Sequence, residues 1–157
     1  MIEDALTGIQ AYIAANLTTR LNAIATARSV TIPRAASADI LVGFCQSKQY
    51  PNISIVPAPT DFEYSDPESP YILPLQLHGV SVIVDHNDVD ETEAMLVLVR
   101  YSEAITQMVI DDWTCGDRFN KTQLVNIEPG IFVAHDDKSI SQSIDITIAV
   151  RILSTQS

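Results

Sequence analysis

Residue types able to do chemistry are concentrated in Asp85-His-Asn-Asp-Val-Asp-Glu91, where four carboxylates and an imidazole fall within seven residues. Carboxylates at that density suit a hard divalent cation such as calcium or magnesium. A metal-dependent enzyme built on this cluster is the alternative reading of the chain. The segment lacks the glycine at the sixth loop position and the bidentate glutamate at the twelfth that an EF-hand needs. The same residues also read as a strand-to-helix turn followed by an N-cap, which accounts for them without a metal. Two pairs of acids, Asp111-Asp112 and Asp136-Asp137, have the composition of acid–base sites. Adjacent residues on a helix point about 100° apart, so the first pair does not converge on one substrate. It reads as a solvated helix end and the second pair as a turn. The three histidines, His78, His86 and His135, show no HxxxH or HExxH spacing, and no Walker A run, GxGxxG or GxSxG occurs. The sequence therefore assigns no catalytic residue, cofactor-binding residue or metal ligand, and a non-enzymatic protein without cofactor is expected.

The elements that would position these residues follow from periodicity. Ile2, Leu6, Ile9, Ile13 and Leu17 form the apolar stripe of an amphipathic helix, with Glu3 and Asp4 complementing its N-terminal dipole. Leu21 and Ile24 continue the stripe, but Thr18 and Thr19 are poor helix formers, so the helix is expected to end near Leu17. A short helix is expected around Ala38–Cys45. Asn52–Val56 reads as a strand led by Tyr50-Pro51 and stopped by Pro57. Tyr71–Asp85 is a long strand whose alternation changes phase at His78-Gly79, which predicts a bulge. Gln123–Ile127 is a shorter strand closed by Glu128-Pro-Gly130. In the last strand, Ile144, Ile146, Ile148, Val150 and Ile152 alternate with Asp145, Thr147, Ala149 and Arg151. One apolar and one polar face predict a mostly antiparallel sheet of about four strands with two main helices on one face, an α+β domain spanning residues 1–157.

The main helix is expected over Asp90–Asp112, capped by Asp88 with Glu91 or by Asp90 with Glu93. Glu93, Arg100, Glu103, Gln107 and Asp111 occupy one narrow stripe, and nearly everything else is apolar. A helix against a single sheet needs only about a third of its circumference apolar. This one should be covered on two sides, by the first helix or by another subunit. Between the first two strands lies Pro57–Pro70, with four of the eight prolines and four acids. So long a loop, carrying Phe62 and Tyr64, is read as a partner-docking segment. The candidate contact residues are Phe62 and Tyr64 in the loop, with Met95, Val99 and Trp113 on or ending the helix.

Charge is unevenly placed. Residues 1–59 carry Arg20, Arg28, Arg34 and Lys48 against Glu3, Asp4 and Asp39, a net +1. Residues 60–157 carry five bases and seventeen acids, a net −12, within a total of −11. Such a surface repels a nucleic-acid backbone, which argues against a sequence-reading or packaging DNA binder but suits a surface that DNA slides past. Cys45 and Cys115 have no CxxC spacing and are expected to be free thiols. The N-terminus lacks the basic and apolar regions of a secretory signal, and no apolar run is long enough to span a bilayer, so a cytoplasmic protein without membrane contact is expected.

The order of these elements resembles the tail terminator and neck proteins of long-tailed bacteriophages. The resemblance runs over most of residues 2–153. It rests on the N-terminal amphipathic helix with Ala14-Ala-Asn-Leu-Thr-Thr-Arg-Leu21, the strand Tyr50-Pro-Asn-Ile-Ser-Ile-Val56 and the long acidic loop. The helix carrying Arg100-Tyr-Ser-Glu-Ala-Ile105 and the final alternating strand complete it. It implies a small subunit that assembles into a ring, usually a hexamer, at the top of the tail tube. Such a ring stops tube polymerisation and offers the surface on which the filled head docks. The implied partners are other copies of the chain, the tail tube protein and connector proteins, with DNA passing through the lumen without specific binding. The implied location is the virion tail or neck, after assembly in the host cytoplasm. Another neck or head-completion ring would be built on the same pattern.

Overall fold

The structure, a computed structural model, describes residues 2–45, 49–59, 75–133 and 140–153. Two helices, α1 (Ile2–Arg28) and α2 (Glu91–Asp111), accompany five strands: β1 (Ile40–Val42), β2 (Asn52–Pro57), β3 (Leu75–His86), β4 (Lys121–Val133) and β5 (Ile140–Leu153). They form one sheet in the order β1-β2-β3-β5-β4. The β1–β2 pair is parallel and every other pair antiparallel. The expected α+β class therefore stands, with a fifth strand added.

Strand alternation explains the core. Ile53 and Ile55 of β2, Val80, Val82 and Val84 of β3, and Ile146, Ile148 and Val150 of β5 all point to one face and are fully buried. Each such side chain contributes about 1.5–3 kcal/mol when removed from water. Both helices lie on that face, packed against each other, with α1 over β1, β2 and β3 and α2 over β3, β5 and β4. Their apolar stripes close the core, Ile9, Ile13, Leu17 and Leu21 from α1 and Leu98, Tyr101, Ile105 and Met108 from α2.

Four expectations are corrected. The first helix continues past Leu17 to Arg28, because Leu21 and Ile24 extend its packing stripe while Thr18 and Thr19 point outward at little cost. No helix forms around Ala38–Cys45. A single 3-10 turn at Ser37–Asp39 leads instead into β1, whose Ile40, Leu41 and Val42 align with Ile53, Ser54 and Ile55. The β3–β5 register runs unbroken through His78-Gly79, so no bulge forms there. The register shift lies in β4, between Leu124 and Asn126. Finally, β4 does not stop at Glu128-Pro-Gly130 but runs through Pro129, paired with Ile144. Among the described residues it is an edge strand, where a missing N–H costs the ladder nothing.

Two phenols fasten the helical layer. Tyr101 of α2 donates to Pro33 O at 2.7 Å and accepts from Ala35 N at 2.9 Å, and burial pushes its hydroxyl pKa up to about 12. Tyr12 of α1 donates to Met108 O at 3.0 Å. At α1's start, Gly8 meets Phe119 so closely that an added Cβ would stand 2.5 Å from its Cζ.

Candidate assembly surface

The acidic cluster does not converge. Alternation along β3 sends Asp85 and His86 to opposite faces, since Val84 and His86 share the helix side. Asp90 caps α2, accepting from Thr92 N at 2.9 Å and Glu93 N at 3.4 Å, and Asp88 accepts from Asp90 N at 3.3 Å. Of the two capping arrangements read from the sequence, the structure selects the second. His86 is buried, and its Nε2 lies 3.9 Å from Asp88 Oδ2. Burial holds its pKa below the ordinary value, against the opposing pull of Asp88 and Glu93. Among the described residues no group of three or more His, Cys, Asp or Glu is placed to hold a metal.

The other candidates are also absorbed structurally. Asp111 pairs with Arg20 at 2.5 Å and accepts from Gln107 at 2.8 Å, which lower its pKa, Gln107 most. Asp112 organises the turn after α2, accepting from Thr114 Oγ1 at 2.8 Å and Gly116 N at 2.7 Å. These bonds hold its pKa below the usual range. In that turn Cys115, Gly116 and Asp117 all have positive φ, at 51°, 70° and 61°. Both cysteines are free thiols, and burial raises that of Cys115 to about 11. Asp136 and Asp137 lie outside the described residues.

What remains is surface, and it centres on α2. The expected polar stripe is present and ion-paired: Arg100 with Glu93 at 3.3 Å, and Glu103 with Arg28 of α1 at 2.6 Å. Covering by α1 does not exhaust the apolar circumference. Leu96, Val99 and Ile110 remain exposed on the outward side, Ile110 by 59%. Trp113, just past the helix, is 53% exposed although its carbonyl accepts from both N and Oγ1 of Thr122 in β4, at 2.7 and 2.8 Å. A large ring held in a rigid turn and left in solvent is a feature of interaction surfaces. Of the five candidate contacts, Val99 and Trp113 are thus exposed and Met95 is half-buried. Phe62 and Tyr64 lie outside the described residues.

Two further apolar patches were not foreseen. At one end of the sheet Leu41, Val42 and Phe44 are exposed, Phe44 by 74%. At the other end, β4 exposes Val125 and Ile127. The apolar run Ile40-Leu-Val42 is too short to mark the first patch by itself, because it is extended only through its pairing with β2. Nothing local marks the second, because exposure there depends on β4 being outermost.

The sheet face away from the helices is mixed, with polar and apolar residues, and Asn52, Ser54, Val56, Ser81 and Ser143 are buried on it. Asn52, Asp85 and Ser143 stand in one cross-strand row, and Ile83, Asp145 and Glu128 in the next. Ser81 donates to Asp145 Oδ1 at 2.6 Å. Burial alone raises the Asp85 carboxyl pKa to about 6. No helix of the described residues is long and apolar enough to cross a membrane. No protein-family model matches the sequence, and no curated protein matches it.

Proposed function

We propose that this chain is a structural virion protein, forming a ring of several copies, usually six, that terminates a phage tail tube and joins tail to head. The observation that carries the subunit reading is the outer side of α2. Leu96, Val99, Ile110 and Trp113 stay in solvent after the sheet and α1 have taken their share of the helix. Apolar side chains left exposed along one side of a helix suit contact with another macromolecule. The phage-specific part rests on the resemblance of element order described above. The chain's net charge of −11 suits a lumen through which DNA passes without adhering. Tail tube and connector proteins are the expected partners at the ring faces, and no cofactor is required.

Negative-stain images of the purified protein, alone and with tail tubes, test the reading. Rings, and tube ends capped by them, are the expected result. A protein that stays monomeric by light scattering well above micromolar concentration would overturn it.

A further inference from the structure

His86 closes β3 on the helix side of the sheet, 4% exposed, and neither of its ring nitrogens has a hydrogen-bond partner. A buried polar group in that state is costly and uncommon in a folded chain. Asp88 Oδ2 stands 3.9 Å from Nε2, beyond hydrogen-bond reach. The other oxygen of Asp88 accepts from Asp90 N at 3.3 Å, and Asp90 in turn caps α2 through Thr92 N and Glu93 N. A chain of contacts therefore runs from the imidazole to the first turn of α2, with a single gap between His86 and Asp88.

We infer that His86 is a proton-operated latch on the start of α2: taking up a proton closes the gap to Asp88 and draws the capping turn toward the end of β3. The inference goes beyond the ring-subunit reading and holds for a single copy of the chain.

The donor inventory sets the direction. Neutral, His86 leaves one donor and one acceptor unmet; charged, it leaves two donors and a positive charge unmet. A charged N–H donor and a carboxylate meet at about 2.7–2.9 Å, so Nε2 and Oδ2 must approach by about 1 Å. His86 is fixed by the pairing of β3 with β5, whereas Asp88 is exposed in the turn between β3 and α2. Asp88 is thus the partner that moves, and the cap moves with it.

The surroundings favour this one response. From the turn, Asp88 acts on His86, and from α2, Glu93, which Arg100 engages at 3.3 Å. From β5 comes the neutral Gln142, whose side chain donates to Glu91 O at 3.1 Å. From β2, Asn52 stands opposite Asp85, on the other face of the strand. Burial opposes the proton more strongly than Asp88 and Glu93 attract it. The latch is therefore open at neutral pH and closes on acidification below the ordinary 6.5 of an imidazole.

Other features carry less. The groove between α1 and α2 contains Arg20 and Arg28, but Asp111 and Glu103 already neutralise both. Beside Phe44 and Ile127 the sheet edges are open among the described residues, and nothing there selects an occupant.

The test follows imidazole and amide resonances by NMR from pH 7.5 to pH 5. His86 should titrate with a midpoint below 6.5, and the amides of Asp90, Thr92 and Glu93 should shift with the same midpoint. In His86→Phe those amides should hold still, while in Asp85→Asn they should still move. Asp88→Asn keeps an acceptor for Asp90 N but loses the charge, and should lower the His86 midpoint by about 0.5 in pH or more. Amides that stay fixed while His86 titrates would overturn the latch, because the proton would then enter without moving the cap. An unchanged midpoint in Asp88→Asn would overturn it equally. So would a His86 that titrates at or above 6.5, as one open to water does, or that stays neutral down to pH 5. Should His86→Phe fail to fold by circular dichroism, His86→Gln takes its place with the same expectations.

Discussion

The two faces of the sheet obey different rules. On the helix side, Val80, Val82, Val84, Ile146, Ile148 and Val150 are all fully buried, and no charge enters from the strands. On the opposite side the same strands present Ser81, Asp85, Asp145 and Thr147. Since successive side chains alternate, neighbours along one strand experience the two environments a single residue apart. The first face supplies the free energy of folding, so its composition is constrained to apolar residues of fitting size. The second tolerates polar groups even where it is covered, since Asn52, Ser54, Ser81 and Ser143 are buried there, and it carries the carboxylates of Asp85 and Asp145.

The sharpest way to break this contrast is to truncate adjacent residues of β5. Ile146→Ala should cost about 2–5 kcal/mol by urea denaturation, the range for a buried cavity. Thr147→Ala, one residue on, should stay within about 0.5 kcal/mol. Equal effects would show that the faces do not divide the labour in this way. Next in size is Tyr101→Phe, which leaves Ala35 N and Pro33 O of the helical layer without their partner. It should cost about 1–3 kcal/mol, measured the same way. Gly8→Ala follows. The new methyl gains up to about 1 kcal/mol of helix propensity. It must also displace the buried Phe119 ring, so a net loss of about 1–2 kcal/mol is expected from overpacking.

How much of this could be read from the chain divides along the same line. Periodicity located α2, β2, the Val80–Val84 part of β3 and β5, because each carries its burial pattern within itself. It ended α1 too early, because Thr18 and Thr19 weaken a helix only where nothing packs beyond them, and Leu21 does. The three residues of β1 were illegible because their partner, β2, is the only reason they are extended. Pro129 misled for a similar reason: whether a proline ends a strand depends on that strand being interior or outermost. In the acidic cluster the capping role was legible, but choosing Asp90 over Asp88 needed the hydrogen bonds themselves. Val99 and Trp113 were legible as apolar excess on one helix. The open edges at Phe44 and Ile127 were not, because sheet order is a property of the whole chain.

The smallest effect sits on the face away from the helices and tests whether that face is wet. Burial raises the Asp85 carboxyl from an ordinary 3.8 to about 6. The folded state therefore prefers the protonated acid. That preference stabilises the fold fully below pH 3.8 and is lost as the pH rises through about 6. His86, whose pKa is lowered by burial, works with the opposite sign, stabilising above its ordinary value of 6.5 and losing that contribution as the pH falls. The wild-type stability curve superimposes the two slopes. Asp85→Asn removes only the first, and its amide offers a donor toward the unpartnered Oδ1 of Asn52 across the strand pair. The difference in Tm between variant and wild type should widen from pH 4 to pH 7, reaching about 2–4 °C. A constant difference over that range would mean that the new hydrogen bond is the whole gain. The carboxylate at position 85 would then be as well hydrated as one on an open surface.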